Sequence, residues 1–163
     1  SYRRLRNTMR FMLGSLADFS EADRNEPADM PELERWVLHR LSELDETVQK
    51  GYSAYDFQGV FQTVFTFATV ELSSFYFDIR KDVLYCDDLS SAKRQSCTNL
   101  LGIILDMLMK WFAPILSFTT EEIFKLIDNK KSIHFWREFS FIFSWFLILL
   151  NFGWMVNLKI HFF

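Results

Sequence analysis

Apolar residues recur every three or four positions over most of residues 2–130, which is the spacing of helices that bury one face. The first predicted helix covers residues 2–18, and its apolar stripe consists of Leu5, Met9, Met12, Leu13 and Leu16. At about 100° per residue, a basic row borders that stripe; it consists of Arg3, Arg6 and Arg10. Arg4 and Phe11 fall on the opposite side of the same helix.

Two longer helices are predicted after the polar linker 20–28. The second helix begins at a D-x-x-E signal, because the side chains of Asp29 and Glu32 can satisfy the unpaired amides of a first turn. It runs to about Gly51, with an apolar face of Leu33, Trp36, Val37, Leu41, Leu44 and Val48. The third helix begins at Asp56, and its spacing predicts a buried face of Phe57, Val60, Phe61, Val64, Phe65, Ala68, Leu72, Phe75 and Ile79.

Two further helices complete the predicted domain. The fourth starts at Ser90 or Ser91 and stops near Pro114, which cannot continue a helix. Thr119 and Glu122 form a capping box for a short fifth helix. Four to five helices joined by short loops predict an all-α fold, an antiparallel helical bundle. We expect one domain over residues 1–131 and a divergent apolar tail over 132–163.

The tail differs in character from everything before it, because residues 139–158 are twenty consecutive positions without a charge. Such a stretch is long enough to span a bilayer, although Asn151, Gly153 and Asn157 interrupt its second half. It could also be a packed helix or strand. A third interpretation is a decayed or misread reading frame. All three stay open at this point, with a membrane partner not favoured.

Composition narrows the class of protein. Half of the 163 residues are apolar and 24% are charged, which excludes a disordered chain. Two cysteines are too few for a disulfide scaffold, and no secretory signal opens the chain, so we expect a cytoplasmic protein with reduced thiols. The net charge of -3 excludes a nucleic-acid-binding protein that is strongly basic over its whole sequence. Residues 1–10 alone, however, carry a charge of +4.

Catalytic and metal-binding patterns are missing from the sequence. It contains no G-x-G-x-x-G, no Walker loop and no G-x-S-x-G. Cys86 and Cys97 have no histidine nearby in metal-ligand spacing, and we interpret them as ordinary core or surface residues. We therefore expect no catalytic residue, no metal ligand and no cofactor in this chain.

Two basic clusters remain as candidate binding residues. The first is Arg3, Arg4, Arg6, Asn7 and Arg10, whose guanidinium groups suit phosphate contacts. The second lies around the loop between the third and fourth helices, where an aromatic among cations could stack an unpaired base; it consists of Arg80, Lys81, Tyr85, Lys93 and Arg94. Alternatively, the first is a solvated face pairing with the acidic stretch 21–46, and the second holds cations at a helix C-terminus.

The same segments resemble a known family. Residues 2–14 (YRRLRNTMRFMLG) resemble the helix that opens the anticodon-binding domain of isoleucyl-tRNA synthetases. The resemblance continues, in order, with LERW at 33–36, YDF at 55–57, LSSFYFDIRKD at 72–82 and APILSFTTEE at 113–122. It ends at SIH (132–134). Val83 and Phe124 depart from the family, which usually has a basic residue and often a tryptophan there.

The resemblance implies a helical bundle that follows a class I catalytic domain and receives the anticodon stem and loop of tRNA(Ile). The two basic clusters are then tRNA contacts. In the full-length enzyme such a module supports ATP-dependent aminoacylation with Mg²⁺, beside upstream catalytic and editing domains. The HIGH and KMSKS signatures are absent from this chain, so we expect it to be inactive as an enzyme by itself. An alternative is a helical adaptor anchored to a membrane by residues 139–158.

Overall fold

A computed structural model describes residues 2–17 and 29–128, and the helices of these ranges follow the predicted order. They are α1 (Tyr2–Ser15), α2 (Glu32–Ser53), α3 (Phe57–Thr66), a π-helical segment (Phe67–Tyr76), α4 (Phe77–Cys86), α5 (Ala92–Phe112) and α6 (Ser117–Asp128). Because α3, the π-helical segment and α4 run on without a break, the described residues form five helical rods and no strand. The prediction of an all-α fold is confirmed.

Helix α5 forms the centre of the core. It packs against α1, α2, α3 and α4, and its inward side chains are fully buried, among them Leu100, Leu101, Ile104, Leu105, Leu108 and Phe112. A helix with apolar residues on most of its circumference must be surrounded by other helices. The apolar stripe of α1 meets this core through Leu5, Met9 and Met12.

Some helix ends match the sequence signals and others do not. The third helix was predicted to begin at Asp56, and this residue caps α3 by accepting a hydrogen bond from the Gly59 amide at 2.9 Å. The cap predicted at Asp29 is wrong, because α2 begins after Pro31, which has no side-chain acceptor. The Pro31 carbonyl accepts the first hydrogen bond of the helix, from the Arg35 amide at 3.1 Å.

The capping box predicted at Thr119 is also wrong, because α6 already begins at Ser117. Both of its residues instead tie α6 to α1. The Tyr2 hydroxyl lies 2.8 Å from Thr119 Oγ1, and Arg6 donates to Glu122 at 2.7 Å. These contacts fix the start of α6 against α1, the helix that carries the first basic cluster.

The π-helical segment changes which residues face the core. The amide of Phe77 donates to the carbonyl of Leu72, five residues earlier, so each turn holds about one residue more than in an α-helix. The predicted face is correct at Val60, Val64, Ala68 and Leu72, but Phe75 and Ile79 are exposed. Their places are taken by Tyr76, Phe77 and Arg80, which are buried.

The prediction was also wrong for two aromatic residues elsewhere. Trp36 of α2 and Phe57, the first residue of α3, are exposed, although both were placed on buried faces. The Trp36 ring meets the exposed ring of Phe75 edge-on, with centroids 5.9 Å apart. Amphipathic spacing identifies the side of a helix but does not determine how far around it the neighbouring helices reach.

The chain divides into two compact units, the first of which is Ser1–Ile123. The described part of the second consists of Phe124–Asp128, which are the last residues of α6. The predicted boundary between 131 and 132 and the charge-free stretch 139–158 lie outside the described residues. Within the ranges that the structure describes, no helix combines the length and the hydropathy needed to cross a bilayer.

Candidate nucleic-acid interface

A groove of about 480 Å³ lies between α1 and the rod formed by the π-helical segment and α4. Its lining is Arg4, Asn7, Thr8 and Phe11 from α1, Ser73 from the π-helical segment, and Phe77, Asp78, Lys81 and Tyr85 from α4. Four of the residues predicted to bind RNA, two from each basic cluster, therefore lie on one concave surface: Arg4, Asn7, Lys81 and Tyr85.

The helical repeat explains how α1 contributes to the groove. Arg4, Asn7 and Phe11 stand at positions i, i+3 and i+7, which share one face of a helix. The neighbouring face carries Leu5 and Met9 into the core. The core contacts therefore hold α1 in one rotational setting, in which Arg4 and Phe11 face the groove.

Aromatic rings form one wall of the groove. The Phe11 ring packs on Phe77 with centroids 4.7 Å apart, and its contact with Tyr85 is edge-on at 6.3 Å and 75°. Tyr85 remains 71% exposed. The Phe11 contact positions the tyrosine ring, and most of its surface stays accessible to another planar group.

The charged groups of the groove lining are two cations and one carboxylate, which leaves a balance of one positive charge. The Lys81 ammonium lies 2.8 Å from Asp78 Oδ1. This hydrogen bond, together with the negative charge of Asp78, raises the pKa of Lys81 above its ordinary value. Lys81 is therefore fully protonated at neutral pH, and its ammonium has a carboxylate partner in the absence of RNA.

Arg80 does not lie on the surface, and its predicted role as an RNA contact gives way to a structural one. Its guanidinium makes a two-pronged contact with Glu34 of α2, with Nε 2.7 Å from Oε1 and Nη2 2.9 Å from Oε2. Both residues are buried. The π-helical segment turns position 80 inward, so this arginine joins α4 to α2 and has no access to a phosphate.

Two more side chains complete the buried cluster. The Tyr76 hydroxyl donates to Glu34 Oε1 at 3.1 Å, and the Cys97 thiol lies 3.3 Å from the same oxygen. Burial alone would raise the pKa of Glu34, but the hydrogen bonds and charge of Arg80 and the Cys97 contact lower it overall. Burial raises the pKa of Cys97 to about 12. The thiol therefore stays protonated at neutral pH and is a poor nucleophile.

The remaining predicted contacts lie outside the groove. Arg3 and Arg10 are exposed on other faces of α1, whereas Arg6 pairs with Glu122. Lys93 is exposed near the start of α5. Arg94 is partly buried and donates to the carbonyl of Asp87, so it holds the turn between α4 and α5. The structure thus separates the two predicted clusters into groove residues and outlying cations.

Several groove residues were missed by the sequence interpretation: Phe11, Ser73, Phe77 and Asp78. The signal for Asp78 was present, because an acid three residues before Lys81 can pair with it on a helix surface. For Phe11, the signal was the i+7 spacing from Arg4. Nothing in the sequence signalled Ser73 or Phe77, because the π-helical segment sets the direction of both.

The chemical groups of the groove can be compared with those that a metal site needs. No three His, Cys, Asp or Glu side chains among the described residues come together as a candidate metal site. The groove offers two cations, one carboxylate, an amide, hydroxyl groups and aromatic rings. Cations and aromatic rings are the groups that proteins use to contact phosphates and planar bases, the two features common to all nucleotides.

The described helices form an all-α bundle whose groove combines cations with aromatic rings, a chemistry that suits a nucleic-acid-binding module. A family model described as the anticodon-binding domain of tRNA ligase matches residues 34–148, and the chain belongs to this family. Its resemblance to isoleucyl-tRNA synthetases is confirmed, since its relatives are isoleucine–tRNA ligases. The family match also continues past His134, where the motifs ended.

Three relatives illustrate the similarity. The chain is 64% identical over 124 residues to isoleucine–tRNA ligase of Ruegeria pomeroyi, a match that covers 76% of the chain and 13% of the relative. It is 53% identical over 138 residues to that of Pelagibacter ubique, covering 82% and 15%. It is 54% identical over 122 residues to that of Agrobacterium fabrum, covering 75% and 12%. The chain thus spans less than a sixth of the length of these relatives.

Proposed function

We propose that this chain binds the anticodon arm of tRNA(Ile) and that the groove between α1 and α4 makes the contact. The observation that supports the proposal is the convergence of Arg4 and Asn7 with Lys81 and Tyr85 on one surface. These residues come from two distant segments that the sequence had marked independently. A basic face made only of solvated side chains would not require them to share a groove.

The chemistry of the groove suits this ligand. Arginine offers a fork of donors that matches phosphate oxygens, and each cation that pairs with a phosphate releases condensed counterions. A protein reads single-stranded RNA loops by stacking splayed bases on aromatic side chains. An anticodon arm presents both features, a phosphate backbone and an unpaired loop.

The relatives suggest the setting in which this binding operates. They are named isoleucine–tRNA ligases and are several times longer than the chain. We infer that the module orients tRNA(Ile) for ATP-dependent aminoacylation in a longer ligase of the cytoplasm. Its ATP, Mg²⁺ and editing sites would belong to upstream domains. By itself the chain would bind the tRNA without charging it.

A filter-binding titration of the 163-residue chain tests the proposal. We expect saturable binding of a tRNA(Ile) transcript at low salt, tighter than that of a tRNA with a different anticodon arm. The anticodon-arm hairpin of tRNA(Ile) should compete for the chain. The absence of saturable tRNA binding would contradict the proposal, and partitioning into lipid vesicles in its place would favour the membrane adaptor.

A further inference from the structure

On the basis of the tRNA binding proposed above, we propose that the groove takes a single unpaired nucleotide of the anticodon arm. The base stacks on Tyr85, and its phosphate is held by Arg4 and Lys81. Asp78 competes with that phosphate for Lys81. The ligand is thus a flexible loop nucleotide, and the double-stranded stem lies outside the groove.

The size of the groove favours one nucleotide. A volume of about 480 Å³ falls within the range of small-molecule sites. A double-stranded RNA helix presents paired bases whose faces are already stacked, so it offers no base for an aromatic wall. An unpaired nucleotide can enter with both its phosphate and its base.

The position of Tyr85 supports stacking. Its ring is 71% exposed, and the edge-on contact with Phe11 limits its rotation. A ring that is already oriented loses less freedom when a base stacks on it. The Phe11 ring is itself fixed by Phe77, so the support for Tyr85 extends into the body of the domain.

Asp78 gives the groove a feature that a simple phosphate site lacks. Its carboxylate is exposed and pairs with Lys81 at 2.8 Å. A phosphate that reaches Lys81 must displace this carboxylate or bind beside its negative charge. Asp78 therefore weakens the binding of any phosphate at Lys81, and removing its charge should tighten RNA binding.

Substitution of Tyr85 tests the stacking. The loss of one base–aromatic stack should weaken binding of the anticodon-arm hairpin to Tyr85→Ala by about fivefold to a hundredfold. Tyr85→Phe should stay within about twofold of the unmodified chain, because the ring remains. The matched control is Tyr55→Ala, since Tyr55 is also exposed but lies outside the groove, in the turn between α2 and α3.

Fluorescence identifies the stacked nucleotide directly. With 2-aminopurine placed at each loop position in turn, one position should be quenched by the unmodified chain and by Tyr85→Phe, but not by Tyr85→Ala. Quenching at no loop position would overturn the proposal. Equal quenching by Tyr85→Ala at every position would overturn it as well.

Substitution of Asp78 tests the competition by the sign of its effect. Asp78→Asn should tighten hairpin binding by about two- to fivefold at low salt, and the gain should shrink as salt screens the charge. The control is Glu46→Gln, which removes the acid of the pair Glu46–Lys50, located on α2 outside the groove. Unchanged or weaker binding by Asp78→Asn would show that the carboxylate does not compete.

The two proposals fail in different ways. If the unmodified chain binds no tRNA, the proposed function fails and the nucleotide site fails with it. If the chain binds tRNA(Ile) but Tyr85→Ala binds the hairpin as tightly as the unmodified chain, only the nucleotide site is overturned.

Discussion

The carboxylate of Glu34 is fully buried, and its surroundings determine what it contributes. Arg80 supplies two hydrogen bonds and the opposite charge, Tyr76 supplies a hydroxyl, and Cys97 supplies a thiol. A buried ion pair gains little over a hydrophobic pair of the same shape, but removing one partner leaves the other as an uncompensated buried charge. This cluster therefore fixes the position of α4 relative to α2.

Glu34→Gln should destabilise the domain by about 3–5 kcal/mol, because the Arg80 charge then remains buried without its counter-charge. The measurement is urea unfolding followed by circular dichroism at neutral pH. Glu122→Gln is the control, since it breaks the exposed pair with Arg6 and should cost less than about 1 kcal/mol. Equal costs for the two variants would contradict the buried geometry.

The same substitution has a defined pH dependence. The pKa of Glu34 in the folded protein lies below its ordinary value of 4.5. Its ionised form therefore stabilises the fold above pH 4.5, and this stabilisation is lost as the pH falls through the lower, folded-state value. The difference in unfolding free energy between the unmodified chain and Glu34→Gln should be largest near neutral pH and should shrink in acid.

The two cysteines should react at very different rates with a thiol reagent at mildly alkaline pH. Cys86 is exposed, whereas Cys97 is buried and has a pKa raised to about 12. We expect one thiol to react at once and the second only after urea is added, because the thiolate is the reactive form. In Cys86→Ser the fast phase should vanish. Two fast phases in the unmodified chain would show that Cys97 is accessible.

At the scale of elements, the π-helical segment is the feature with the widest consequences. It turns Tyr76 and Arg80 toward Glu34, and it leaves Phe75 and Ile79 exposed. In a regular α-helix the spacing of Leu72, Phe75 and Ile79 would bury all three on one face. The ion pair with Glu34 and the exposed aromatic at position 75 are thus two results of one change in winding.

Substitution of Leu72 and Phe75 by alanine tests this change in helical winding. Leu72 is 0% exposed and Phe75 is 46% exposed. Leu72→Ala should cost about 2–5 kcal/mol by leaving a cavity. Phe75→Ala should cost about 1 kcal/mol or less in the same urea titration, although it removes the larger side chain. A larger loss of stability in Phe75→Ala than in Leu72→Ala would mean that residues 67–76 keep the buried face of a regular α-helix.

Helix order was predictable because amphipathic spacing is local. The stripe Leu5, Met9 and Met12 and the start of the third helix at Asp56 both appear in the structure as the sequence indicated. The exposed Phe75 was not predictable, because π-helical winding depends on which side chains the neighbouring helices accept. The capping signal at Thr119 failed for a related reason: contacts with α1 use the same side chains.

At the scale of the whole molecule, the groove depends on packing between segments far apart in sequence. The sequence identified Arg4 and Lys81 as candidate contacts but could not place them together, since that requires the rotational setting of two helices. It could not separate Lys81 from Arg80 either. One residue of difference along a helix is about 100° of rotation, which here divides a buried structural arginine from an exposed lysine.

The tail prediction also belongs to this scale. A chain ending at Lys131 keeps every described residue, and it loses the apolar run 141–150, which would form a large patch if exposed. We expect the shortened chain to be more soluble, to unfold with the same urea midpoint and to bind tRNA(Ile) at least as well. Sedimentation and circular dichroism check this. An unfolded product would mean that residues 132–163 belong to the core.

The most direct test of the central claim, that the groove between α1 and α4 is the RNA site, is a salt titration of tRNA(Ile) binding. Arg4→Ala with Lys81→Ala should weaken binding about tenfold or more at low salt and lower the slope of log K against log salt by about two. The control pair, Arg35→Ala with Lys50→Ala, removes two exposed cations of α2 outside the groove and should change neither. An equal loss in both pairs, or an unchanged slope in the groove pair, would contradict the claim.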